Sequence, residues 1–141
     1  MKLKAAVVGC GRIGFGFDED PRRKYIATHS GAYSTCVGTK LVAICDPDKN
    51  LREKCMKKWK VSSSYSDISE MIRNEDIDIL SVCTPPGTHY SVIKEVVKSE
   101  TIKAVFCEKP LAGSKKDAKK IPAIKLNDKQ RKTLDLRISL L

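Results

Sequence analysis

Gly9, Gly11 and Gly14 stand in the order Gly-x-Gly-x-x-Gly directly behind the apolar run Ala5-Ala6-Val7-Val8. That spacing suits the phosphates of a dinucleotide. The first glycine permits a tight turn out of a strand, the second lets a pyrophosphate approach bare backbone, and the third lets the next helix pack close. Arg12 and Ile13 lie at the start of that helix, where free N–H groups and a partial positive charge hold anions. A glycine turn of purely structural purpose is the alternative. Asp46 follows the second apolar run, Leu41 to Cys45. A carboxylate there can accept from the adenine-ribose hydroxyls and repel a 2′-phosphate, which favours NAD over NADP. Its alternative is the N-cap of a segment starting near Pro47.

The elements that would position these residues alternate. After the glycine loop, Phe15 to Lys24 has the acidic-Pro-basic composition of an inserted loop. It reads as a surface excursion or as a lid beside the phosphates, and it delays Asp46 beyond the usual ~20 residues after the glycines. Helix resumes over Ala27 to Thr35. Lys49 to Lys60 repeats Leu51, Cys55, Met56 and Trp59 at helical spacing, with Trp59 as the anchor on the sheet. Val61 to Tyr65 is a short strand, Asp67 to Arg73 a short capped helix, and Ile77 to Cys83 a strong strand. Thr84-Pro85-Pro86-Gly87 then forbids regular structure. His89 opens a helix with Val92, Ile93, Val96 and Val97 on its buried face, and Lys103 to Cys107 is a further strand. Strand and helix in alternation predict an α/β fold with a doubly wound parallel sheet. In that architecture ligands bind beyond the carboxyl ends of the strands. The glycine loop, Asp46, Thr84 to His89 and Glu108 to Pro110 all fall at such ends.

At 141 residues, with 41% hydrophobic and 31% charged residues, the composition is that of one globular domain. No apolar run approaches the ~18–20 residues that span a bilayer, and the basic start Met1 to Lys4 leads into a strand rather than a signal peptide. A cytoplasmic location is expected. The six cysteines have no C-x-x-C pair or metal spacing, so no metal is expected. Cys45, Cys83 and Cys107 read as small buried hydrophobes in a reducing compartment. The net charge of +10 is uneven: residues 111–141 carry nine basic and three acidic side chains, without an aromatic residue. A solvated tail fits that pattern better than nucleic-acid binding, which would interleave aromatic residues for base stacking.

Taken together, VVGCGRIG, LVAICD, DILSVCTPPGTHY and AVFCEKPLA resemble the Gfo/Idh/MocA oxidoreductases over about residues 3 to 121. The Glu-Lys-Pro triplet preceded by Thr-Pro-x-x-x-His is the specific part. The resemblance implies hydride transfer between a nicotinamide and a hydroxyl carbon of a sugar, cyclitol or nucleotide sugar. It also implies that Thr84 and Pro85 line the cofactor, that Glu108 and Lys109 stand near the nicotinamide, and that Lys109 touches the reacting hydroxyl. Oxidising an alcohol needs such a group, because a proton must leave with the hydride. His89 matches a family position where orienting the loop and binding are both open. The Lys109–Pro110 bond is a candidate for cis.

Family members continue into a second α/β domain that supplies substrate contacts and a catalytic histidine, whereas His29 and His89 both fall in the cofactor half. Residues 1–121 therefore read as the dinucleotide-binding domain. Residues 122–141, with Pro122 in the expected helix, read as an atypical basic tail from a truncated or frameshifted frame. Leu134 to Leu141 suits a strand or a frayed helix. On this reading the chain alone is inactive, since hydride transfer needs a substrate held in place. The alternative function is an NAD-binding module or remnant without catalysis. Apolar surface left uncovered is compatible with a homo-oligomer.

Overall fold

The computed structural model describes residues 1–124 and 135–138. Six parallel strands make one sheet: β1 (Leu3–Val8), β2 (Thr39–Cys45), β3 (Ser63–Tyr65), β4 (Ile79–Val82), β5 (Ala104–Cys107) and β6 (Asp135–Ile138). Their order is β3-β2-β1-β4-β5-β6. The chain runs outward from β1 to one edge, returns, and runs outward from β4 to the other. The topological switch point therefore lies between β1 and β4.

Side chains alternate across β1: Ala6 and Val8 enter one apolar layer, Val7 the other. Helices α1 (His29–Thr35) and α2 (Lys49–Trp59) cover the Val7 face, joined by Leu41, Ile44, Cys55 and Phe15. Helices α3 (Ile68–Asn74) and α4 (His89–Val96) cover the other face through Met71, Val92, Ile93 and Val96. A last short helix, α5 (Lys115–Lys120), leads to buried Ile121, and Pro122 stands in the turn after it. The caps follow from the sequence: Asp48 accepts from Asn50 and Leu51 N–H, Asp67 from Glu70 N–H, and Ser114 from Asp117 N–H. Each satisfies backbone donors that the first helical turn leaves open.

Two details depart from the sequence reading. The cap of α2 is Asp48 rather than Asp46, whose carboxylate is turned back toward β1. Trp59 is only half buried, and its ring lies against α1, where a Cβ on Gly31 would come within 3.0 Å of it. Cys55 is the fully buried residue of α2.

The insertion is resolved by its hydrogen bonds. Phe15 is core, not loop, at 1% exposure. The amide of His29 donates to the Ile13 carbonyl at 3.1 Å, and that of Ser30 to Gly14 at 3.0 Å. In an uninterrupted α-helix those bonds would come from residues 17 and 18. The turn that follows the glycine loop, in place of the expected helix, is thus spliced to α1, and residues 17–28 are looped out between them. Without those twelve residues Asp46 would stand twenty positions after Gly14, the ordinary spacing. The excursion is fastened down. Asp18 accepts from the Ala27 amide at 2.8 Å and from the Thr28 hydroxyl, Lys58 reaches the Asp18 carbonyl, and Arg23 stacks over the Phe17 ring at 4.4 Å.

Of the tail, Asp135–Ile138 forms β6 beside β5. The rest of the expected basic tail, 125–134 and 139–141, lies outside the described residues. All six cysteines are free, with Cys36 exposed and the other five buried. Burial pushes the Cys45 thiol up to about 12 and that of Cys107 up to about 11, so both are uncharged near neutral pH. Among the described residues no helix is long and apolar enough to cross a membrane, and no cluster of His, Cys, Asp or Glu could hold a metal ion.

Candidate functional site

The sheet register brings the separate motifs to one level. Val8 pairs with Cys45 on one side and Val82 on the other, and Val82 pairs with Cys107. The residues that follow, Gly9, Asp46, Cys83-Thr84 and Glu108, therefore leave the sheet along one rim.

Each glycine of the loop has its own reason. Gly9 adopts φ +95°, and a Cβ there would lie 2.6 Å from the Cys83 carbonyl carbon. A Cβ on Gly14 would collide with the Gly9 carbonyl oxygen. Both are required by the fold itself. Gly11 is different, because a Cβ there would meet nothing within 4 Å. No contact inside the protein demands a glycine at that position, and the missing side chain leaves a cradle over bare backbone. Among the described residues the amides of Gly11, Arg12 and Ile13 have no acceptor. Arg12 is exposed, and Ile13 packs partly against the Val7 layer. A groove of unpaired N–H groups on successive turn residues fits a pyrophosphate.

Asp46 braces this loop. Its carboxylate, 8% exposed, accepts the Cys10 amide at 2.7 Å and the Asp48 amide at 2.8 Å. Each oxygen retains a lone pair for a further donor.

Across the switch point, His89 is wholly buried and joins two loops. Its Nε2 donates to the Thr84 carbonyl at 2.7 Å, while Nδ1 faces the carbonyls of Pro110 at 3.1 Å and Leu111 at 3.3 Å. The helix-opening histidine thus ties the Thr84-Pro85 turn to the Glu-Lys-Pro turn. The Lys109–Pro110 bond is cis. Pro85 and Lys109 are exposed, and Lys109 has no ion-pair partner among the described residues.

Glu108 has a partner that sequence reasoning passed over. His29 Nε2 lies 2.9 Å from Glu108 Oε1, and His29 Nδ1 lies 2.8 Å from Ser81 Oγ. Ser81 is fully buried and also bonds the Tyr33 hydroxyl at 2.8 Å. Burial raises the Tyr33 phenol above its ordinary value and keeps it neutral. The signal was present in the sequence: a lone serine inside an apolar strand, with His29 and Tyr33 four residues apart on one helix face.

The strand order, the glycine loop at the first strand–helix turn and the rim of motifs define a dinucleotide-binding domain of the Rossmann class. Residues 3–135 match the sequence profile of the GFO_IDH_MocA oxidoreductase family, NAD-binding Rossmann fold, and the chain belongs to that family. It is 29% identical over 122 residues to inositol 2-dehydrogenase of Salmonella typhimurium, a match covering 86% of this chain and 32% of that protein. Among solved structures, myo-inositol 2-dehydrogenase of Lactobacillus plantarum superposes with TM-score 0.76 at 23% identity, over 99% of this chain and 36% of its own. The scyllo-inositol dehydrogenase of Lactobacillus casei, with bound NAD(H) and scyllo-inositol, gives TM-score 0.75 at 22% identity, over 99% and 36%. These two likenesses concern the fold. The chain spans about a third of the length of the relatives it matches.

Proposed function

We propose that this chain is the nucleotide-binding part of an NAD-dependent dehydrogenase acting on a hydroxyl of a cyclitol, sugar or nucleotide sugar. The observation that carries the reading is the open cradle at Gly11, level with Asp46, Thr84 and Glu108 on one rim. The amides of Gly11, Arg12 and Ile13 hold the pyrophosphate, Gly9 and Gly14 shape the turn, and Asp46 accepts from the adenine ribose. A 2′-phosphate would be repelled by Asp46, so NAD is preferred to NADP. Thr84 and Pro85 line the cleft, held in place by His89, while Glu108 and Lys109 border the nicotinamide end. The chemistry supplied by a bound nicotinamide is acceptance and return of a hydride. Lys109 presents a free ammonium where the reacting hydroxyl would stand, and lowers that hydroxyl's pKa or relays its proton.

The test is an equilibrium titration of the folded chain with NADH and NADPH, followed by nicotinamide fluorescence. Saturable binding that favours NADH is expected; no binding of either by a folded chain would overturn the reading. A second reading is a module that binds NAD without turnover. Reduction of NAD by the chain with any of a panel of cyclitols and sugars would rule that out.

A further inference from the structure

We propose that His29 is a positioning residue that aims the Glu108 carboxylate at the nicotinamide carboxamide. The inference deepens the reading above and rests on the dinucleotide lying along the rim.

The contacts form one chain from Tyr33 through Ser81 and His29 to Glu108. Glu108 as a carboxylate can only accept, so His29 Nε2 carries a hydrogen, 2.9 Å from Oε1. Nδ1 lies 2.8 Å from the Ser81 hydroxyl, which lies 2.8 Å in turn from that of Tyr33. Both ring nitrogens are engaged, and the imidazole is held in one orientation. The anchors are rigid. Ser81 is in the central strand β4, Tyr33 is one turn further along α1, and the His29 amide is bonded to Ile13 of the glycine loop. The bonds from α1 back to Ile13 and Gly14, across residues 17–28, are what bring His29 to this place. Its side chain is 21% exposed and that of Glu108 15%, so the pair is largely shielded from bulk solvent. The second carboxylate oxygen of Glu108 has no partner among the described residues. Held by His29, it faces the rim as an acceptor, and the carboxamide N–H2 of a nicotinamide is the matching donor.

Two substitutions separate reach from polarity. His29→Asn keeps a polar group near Ser81 but falls short of Glu108, whereas His29→Gln places an amide N–H close to the position of Nε2. NADH affinity, NADH emission and thermal midpoint are measured for both, for Glu108→Ala and for the double variant His29→Asn/Glu108→Ala. The expected result is about a tenfold loss of affinity for His29→Asn and for Glu108→Ala, the worth of one hydrogen bond to a charged group. His29→Gln should retain affinity within about threefold, and the double variant should bind no more weakly than Glu108→Ala alone. Equal losses for Asn and Gln would overturn the inference, as would a full further loss in the double variant, which would mean His29 acts through the fold. An effect of neither residue, with NADH still bound, would overturn it while leaving the dinucleotide reading intact. A wild-type chain that binds no NADH would sink both.

Discussion

The carboxylate of Asp46 accepts the Cys10 amide at 2.7 Å, so the residue that ends β2 holds the turn that leaves β1. Asp46→Ala would leave that buried amide unpaired, at a cost of about 1–3 kcal/mol. Urea unfolding should show this loss. Asp46→Asn, which keeps one oxygen acceptor, should recover part of it. In the same titrations Asp46→Ala should narrow the preference for NADH over NADPH. A variant of unchanged stability and unchanged preference would contradict both roles.

Gly11 and Gly14 differ in what they make room for. A Cβ at Gly11 meets open space, while one at Gly14 strikes the Gly9 carbonyl. Gly11→Ala should therefore fold with stability within about 1 kcal/mol of the parent and lose NADH affinity tenfold or more. Gly14→Ala should fail to fold, or melt far lower. Circular dichroism melts together with NADH titration check both, and intact NADH binding by Gly11→Ala would remove the phosphate role of the cradle.

Much of this arrangement was legible in the sequence because it is local. The apolar run before the glycines, the cap at the start of α3 and the prolines after Thr84 each act over a few residues, and the parallel sheet follows from alternation. What escaped is non-local. The limits of the insertion are set by the His29 amide reaching Ile13, a bond with no local composition signal, so composition assigns Phe15 to the loop although it is core. The same splice hides His29, whose partner Glu108 lies 79 residues away. Asp46 was legible as a strand-end carboxylate, but its bond to Cys10 depends on the parallel pairing of β1 and β2.

Removing residues 17–28 should be tolerated. Joining Gly16 to His29 restores the i, i+4 spacing from Ile13 that the His29 amide already satisfies. The cost includes the Thr28 cap on Gly31, about 1 kcal/mol, together with the Asp18 contacts. The shortened chain should keep its far-ultraviolet dichroism and bind NADH within about threefold of the parent. A loss beyond tenfold in a folded deletion variant would show that the excursion is a lid on the site.

His89 is wholly buried between two loops, and His89→Phe would fill its volume while leaving the Thr84 carbonyl and the Cys107 thiol without their ring-nitrogen partners. A destabilisation of about 2–4 kcal/mol is expected, with weakened NADH binding because both turns at the rim are released. Denaturant unfolding and titration measure the two effects. His89→Phe with parental stability would mean that the ring contributes packing alone.

Asp78 links the sheet's opposite end to pH. Lys103 Nζ lies 2.6 Å from one carboxylate oxygen, and the Lys4 amide donates to the other at 2.9 Å. The Lys103 ammonium first, and the Lys4 amide next, hold the carboxyl below its ordinary value. A depressed folded value means the contribution is fully present above the unfolded value, about 3.9, and disappears as pH falls through the folded one. Asp78→Asn should therefore be less stable than the parent at pH 7. That deficit should shrink below about pH 4 and close once Asp78 is protonated in the folded parent. Urea midpoints of both proteins from neutral to strongly acidic pH test this, and a deficit constant with pH would assign the loss to packing instead of charge.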